Sequence, residues 1–346
     1  MNDTLPGAQV TALPSPATVL DQMPLAAPVA VQISQHRHAI REVISGDDSR
    51  LLVVTGPCSI HDPQAAYDYG RRLAALQSEL GDKMLLVMRC YFEKPRTTVG
   101  WKGLLHDPAM DGSHDMEKGI TLGREVLLEL AGMGLPLATE ALNPLSMNYL
   151  QDTLSWVAVG ARTTESQPHR EMASGLSMPV GFKNATDGSF GVAVNAIKSA
   201  AQPHSFLGVD ADGRMGVMRT SGNAHCHIVL RGGNGRPNYD ELSIARCEHA
   251  LENAGLAPRI MVDCSHENSA KNHLKQAEVL ADIGRQIQAG NRSILGVMLE
   301  SFIEEGRQEI AAEMCYGQSV TDACLSWEQT EMALRSLHQQ LPDSQS

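Results

Sequence analysis

Leu51-Leu52-Val53-Val54-Thr55-Gly56-Pro57-Cys58-Ser59-Ile60-His61-Asp62-Pro63 reads as a strand, a loop and a helix start in direct succession. An unbroken apolar run rich in valine and leucine suits a strand buried on both faces. Asp62-Pro63 suits a helix start: the carboxylate caps free amides, and the missing proline N–H is no loss in the first turn. The unit recurs along the chain. Apolar runs fall at 51–55, 84–89, 136–139, 157–160, 180–183, 227–230, 260–263 and 294–299. Helical spacing follows at 65–80, 117–133, 145–154, 165–174, 190–200, 241–253, 270–288 and 325–341, with Gly81, Gly134, Gly255 and Gly290 as stops. Eight strand–helix alternations predict an α/β fold, a (β/α)8 TIM barrel, whose chemistry lies at the C-terminal ends of the strands.

Those ends carry charged or metal-ligating side chains: Cys58, Arg89 with Lys94, Glu140, Arg162, Lys183, Arg231, His266 and Glu300. The barrel occupies 49–346, behind an N-terminal arm and helix at 1–48. Residues 1–30 are rich in proline and small residues, Leu13-Pro14-Ser15-Pro16 among them, and are expected to hold little regular structure; a helix is expected over 35–45. Such an arm would pack on a neighbouring subunit or close a regulatory site. The alternation breaks once. Strand-like segments 205–209 and 215–219 flank Asp210-Ala211-Asp212-Gly213, predicting an inserted β-hairpin at about 204–222.

A formal net charge of -12 argues against nucleic acid or an anionic membrane as partner, but not against a small anion in a local cationic pocket. Seven cysteines, an odd number without a CxxC pair, suggest reduced thiols and a cytoplasmic setting. No apolar stretch is long enough to span a bilayer.

Arg89, Lys94, Arg96, Arg162, Lys183 and Arg231 sit at or just past strand ends, so a closed barrel brings them to one mouth. Like charges held together repel unless an anion neutralises them, and guanidinium forks match phosphate and carboxylate oxygens. The group implies a substrate with more than one anionic group, most simply phosphorylated. Cys58, His266, Glu300 and Asp322 form a second group, from strands one, seven and eight and the loop after them. A thiolate, an imidazole and two carboxylates suit a divalent first-row metal. Each has a plainer reading: Cys58 as core filler, His266 as a hydrogen-bonded loop residue, Asp322 as cap of the last helix. His61 competes with His266 as the imidazole. Gly232-Gly233 would let backbone approach a phosphate, and Lys183 would suit a Schiff-base aldolase.

Several motifs are more specific. They are Gly56-Pro57-Cys58-Ser59-Ile60-His61-Asp62, Lys94-Pro95-Arg96-Thr97-Thr98, Gly160-Ala161-Arg162-Thr163-Thr164-Glu165-Ser166, Gly181-Phe182-Lys183-Asn184, Leu230-Arg231-Gly232-Gly233, Asp263-Cys264-Ser265-His266 and Gly317-Gln318-Ser319-Val320-Thr321-Asp322. In this order they resemble the type I 3-deoxy-D-arabino-heptulosonate 7-phosphate (DAHP) synthases, from about Val19 to the last helix. The resemblance implies condensation of phosphoenolpyruvate with erythrose 4-phosphate to DAHP and phosphate, opening the shikimate pathway. It implies Cys58, His266, Glu300 and Asp322 as ligands of Mn2+, Fe2+, Co2+ or Zn2+. It assigns phosphoenolpyruvate to Arg89, Lys94, Arg162, Lys183 and Arg231, the aldose phosphate to Arg96 and Thr97, and catalytic parts to Lys94, His266 and Glu140. Ala185, Phe302 and Arg307 depart from the usual family residues without touching this set. A homodimer or homotetramer under feedback by an aromatic amino acid is also implied. Gly208 in the hairpin stands where the Phe-sensitive type commonly has serine, which favours tyrosine, then tryptophan. The alternatives are 3-deoxy-octulosonate 8-phosphate synthase and a sugar-phosphate-binding barrel without turnover.

Overall fold

The eight apolar runs become eight parallel strands because every one is buried and each is followed by a segment that folds back over it. The computed structural model describes residues 10–96 and 98–343. Its barrel strands are β1 (Leu51–Gly56), β2 (Met84–Arg89), β3 (Leu137–Glu140), β4 (Trp156–Val159), β5 (Val180–Lys183), β8 (Cys226–Leu230), β9 (Ile260–Asp263) and β10 (Ile294–Glu300). The two intervening strands, β6 (Ser205–Val209) and β7 (Met215–Arg219), form the separate antiparallel hairpin, with Gly208 opposite Gly216. The barrel closes in the order β1-β10-β9-β8-β5-β4-β3-β2, so the first and last strands pair, Val54 beside Met298. This closure places Cys58, which follows β1, beside the segments that follow β9 and β10.

The helices are α1 (Pro16–Gln22), α2 (Ala27–Ser45), α3 (Pro63–Leu80), α4 (Met116–Gly132), α5 (Met147–Leu150), α6 (Gln167–Gly175), α7 (Gly191–Ala200), α8 (Glu241–Asn253), α9 (Gln276–Gln288) and α10 (Trp327–Gln340). Asp62 caps α3 through the amides of Gln64 and Ala65, as its position suggested. Gly134, Gly255 and Gly290 take left-handed backbone just past α4, α8 and α9. Gly81 ends α3 in ordinary right-handed backbone instead.

Three expectations are corrected. The arm holds more helix than its composition suggested: Ser15 caps α1 with Pro16 at its first position, and α2 begins at Ala27 followed by proline. A proline-rich composition argues against regular structure, yet proline is harmless in the first turn of a helix. The helix expected from 270 begins at Gln276, because Ala270 and Lys271 adopt positive φ and extend the loop that carries His266. The segment 145–154 holds only α5 and a 3-10 turn, Gln151–Thr153.

Two apolar layers hold the barrel. The larger lies between strands and helices. The smaller fills the barrel interior with Leu52, Val54, Val87, Trp156, Val229, Met261 and Met298, and Ile40, Val43 and Ile44 of α2 join it. Helix α2 therefore closes one end. Its Arg37 donates to carbonyls of Gln151 and Leu154, and Arg259, just before β9, donates to Ser45, so the closed end is the N-terminal one. The opposite mouth stays open to the strand-end residues.

Candidate active site

Each strand end delivers its side chain to this mouth. Arg89, Lys94, Arg96, Glu140, Arg162, Lys183, Arg231, His266 and Asp322 line one cavity of about 250 Å3. Glu140 projects past Gly160, where a Cβ would stand 2.2 Å from its Oε1, so the β4 loop needs glycine there. Cys58 and Glu300 lie buried beside this cavity. Thr97 lies outside the described residues. Gly208 does not line the cavity; the space over its Cα is filled by Met218, whose Cγ would stand 2.4 Å from an added Cβ.

The donor atoms of Cys58, Glu300 and Asp322 lie within 4.8 Å of one another. Asp322 is not the helix cap of its plainer reading; Ser326 caps α10 in a capping box with Gln329. Asp322 instead faces Cys58, its Oδ2 3.4 Å from Sγ. His266 stands outside the group of three but lines the adjoining cavity. His61 is not part of the group; its ring packs edge-on to Phe302, with centroids 6.0 Å apart. A thiol and two carboxylates, with an imidazole at hand in the same wall, fit a divalent transition metal.

The cations are interleaved with these anions. Lys94 Nζ is 3.0 Å from Cys58 Sγ and also donates to the Cys58 carbonyl. Burial alone would weaken the Lys94 charge, but Cys58 and Glu300 hold it above its ordinary value. Burial and the neighbouring Glu300 push the Cys58 thiol up to about 11, against the opposing pull of Lys94. Arg89 is fully buried. It pairs with Glu300 at 3.0 Å, donates to the Pro57 and Cys58 carbonyls, and stacks 3.5 Å over the Tyr91 ring. Across the cavity, Lys183 pairs with Asp263 at 2.8 Å, and His266 Nδ1 lies 3.0 Å from the same carboxylate. Burial opposes the Asp263 charge, yet Lys183 and His266 hold its carboxyl well below the usual range.

The sequence reading missed Tyr91 and Asp263. Asp263 ends β9 and is legible from that position, but His266 three residues on is the more evident metal ligand of that strand end. Tyr91 had no such signal. The role suggested for Gly232-Gly233 is overturned: their amides are spent on Asn238 and Arg236, and a Cβ at Gly233 would stand 2.1 Å from the Gly188 nitrogen. The pair lets two loops pack together. A larger cavity of about 560 Å3 lies at the closed end, but its Arg50 and Lys83 are paired with Asp48 and Asp343.

The fold and site define a (β/α)8-barrel enzyme whose mouth is built for a multiply anionic substrate. The model of the DAHP synthetase I family matches residues 28–335. The Tyr-sensitive phospho-2-dehydro-3-deoxyheptonate aldolase of Escherichia coli is 56% identical over 332 residues, covering 95% of this chain and 93% of its own. The Phe-sensitive enzyme of the same organism is 49% identical over 338 residues, covering 97% and 96%. The structure of phospho-2-dehydro-3-deoxyheptonate aldolase from Francisella tularensis superimposes with a TM-score of 0.95 at 42% identity, over 98% of this chain and 99% of that one. The chain belongs to the DAHP synthetase I family.

Proposed function

We propose that the mouth condenses phosphoenolpyruvate with erythrose 4-phosphate, giving DAHP and inorganic phosphate, the first step toward the aromatic amino acids. One observation carries this reading: six cations line a single cavity beside a thiol–carboxylate donor group. Arg89, Arg162, Lys183 and Arg231 hold the phosphate and carboxylate of phosphoenolpyruvate, while Arg96 with Thr97 holds the aldose phosphate. Fixing both substrates converts a bimolecular encounter into a positioned reaction. Carbon C3 of the enol attacks the aldehyde carbon, and Lys94 gives a proton to the aldehyde oxygen. The cationic C2 then accepts water. Loss of a proton from that water and cleavage of the C2–oxygen bond release phosphate. Glu140 lines the same wall, and we assign it to steering the water or the aldose hydroxyls.

Cys58, Glu300, Asp322 and His266 would hold a divalent cation such as Mn2+, Fe2+, Co2+ or Zn2+. When bound there, such an ion supplies Lewis-acid polarisation of a carbonyl oxygen. The Lys183–Asp263 ion pair weighs against a Schiff-base route, since that needs a free amine. Phosphate release from phosphoenolpyruvate across a panel of aldose phosphates tests the assignment. Release is expected with erythrose 4-phosphate; preference for a five-carbon aldose phosphate would favour the 3-deoxy-octulosonate alternative.

Tyrosine is the inhibitor we favour, acting at the hairpin and arm. Gly208 and the greater identity to the Tyr-sensitive relative support it. The α1 start bonds to the hairpin turn, Ala17 N to Ala211 O at 2.7 Å, so arm and hairpin form one unit.

A further inference from the structure

Asp263 carries no part in the mechanism above, yet it is the most heavily bonded carboxylate of the mouth. It is fully buried at the end of β9. Its Oδ1 accepts from Ser265 N at 3.0 Å and Ser265 Oγ at 2.5 Å. Its Oδ2 faces Lys183 Nζ at 2.8 Å and His266 Nδ1 at 3.0 Å. Four donors on two oxygens leave this carboxylate no free capacity to act as a base or to bind a cation.

The same contacts fix where the His266 hydrogen sits. Ser265 Oγ lies 2.7 Å from His266 Nδ1. A serine hydroxyl has one hydrogen, and Ser265 spends it on Asp263. Toward the imidazole the serine oxygen is therefore an acceptor, and so is Asp263, which makes Nδ1 the protonated nitrogen. Nε2 is left as the only ring atom with a lone pair to offer. The loop holds this arrangement with His266 in left-handed backbone, φ 56°, unusual for a residue with a side chain. The His266 carbonyl in turn accepts from Lys271 N at 2.8 Å.

We infer that Asp263 is a positioning residue that couples the two halves of the site. One buried carboxylate aims Lys183 at the anion cavity and commits His266 to the tautomer whose Nε2 can take a metal. The inference rests on the function proposed above for what Lys183 and His266 hold. It makes the anion half and the metal half of the mouth depend on a single side chain.

Asp263→Asn tests it, because the amide keeps the shape but brings donors where two donors must be accepted. In metal-stripped protein, calorimetric titration with Mn2+ should show affinity lower by about ten- to a hundredfold, the usual effect of losing a histidine's supporting carboxylate. The KM for phosphoenolpyruvate should rise at least about tenfold, while that for erythrose 4-phosphate stays within about twofold. A drop in thermal stability alone, with Mn2+ affinity and both KM values within about threefold of wild type, would overturn the inference. Should the variant not fold, the 15N shifts of the His266 ring in metal-stripped wild type, assigned with His266→Gln, should place the hydrogen on Nδ1; a hydrogen on Nε2 with Nδ1 bare would overturn the inference. The Mn2+ titration needs no turnover, so an error in the proposed reaction would show separately, as an inactive wild type.

Discussion

His227 shows how one residue sets a pH limit far from the mouth. It is buried inside the barrel, and its Nε2 accepts the indole N–H of Trp156 at 3.0 Å. Burial lowers its pKa from 6.5 to about 4. The folded state therefore binds fewer protons than the unfolded chain between these values. The stabilisation is complete above pH 6.5 and is lost as pH falls toward 4, on the order of 3 kcal/mol over that window. Denaturant titrations across the window should show this acid slope, and it should flatten in His227→Gln, which keeps an acceptor for the indole. An unchanged slope in the variant would show that other groups titrate there. None of this was legible in the sequence, where His227 reads as one member of an apolar run and its partner lies 71 residues away. The strand-end cations were legible because alternation alone fixes their position. Their partners were not: Arg89 facing Glu300, or Lys183 facing Asp263, depends on how the barrel closes.

At the scale of elements, the hairpin was the clearest local signal, since Asp212-Gly213 specifies a turn by backbone chemistry, and β6 and β7 match their expected ranges. The arm was the least clear. Pro16 opens α1 just as Pro63 opens α3, but it lies in a proline-rich stretch with no strand before it to mark a helix start. The hairpin also bears the regulatory proposal. A serine side chain at position 208 would have to displace Met218. Gly208→Ser is expected to weaken tyrosine inhibition by about tenfold while uninhibited kcat/KM stays within about twofold. Inhibition curves with tyrosine, phenylalanine and tryptophan check this, and sensitivity of the wild type to phenylalanine alone would sink it.

Over the whole molecule, the hairpin leaves Leu207, Met215 and Val217 on one exposed apolar face. A second copy of the chain is the expected cover, giving a dimer or tetramer. Light scattering that reports one chain per particle would contradict it. Among the described residues no helix is long and apolar enough to cross a membrane. The barrel's closure is what joins its functions: pairing β1 with β10 brings Cys58 to Glu300 and Asp322, next to cations from the other strands. In the proposed reaction these two sets act as one site. The most direct test is phosphate release from phosphoenolpyruvate and erythrose 4-phosphate by chelator-stripped protein, before and after adding Mn2+, for wild type and Cys58→Ala. Release should vanish on stripping, return with Mn2+ in the wild type, and stay at least about a hundredfold lower in the variant. Full release by stripped protein, or by Cys58→Ala, would show that the thiol–carboxylate group and the cations do not act together.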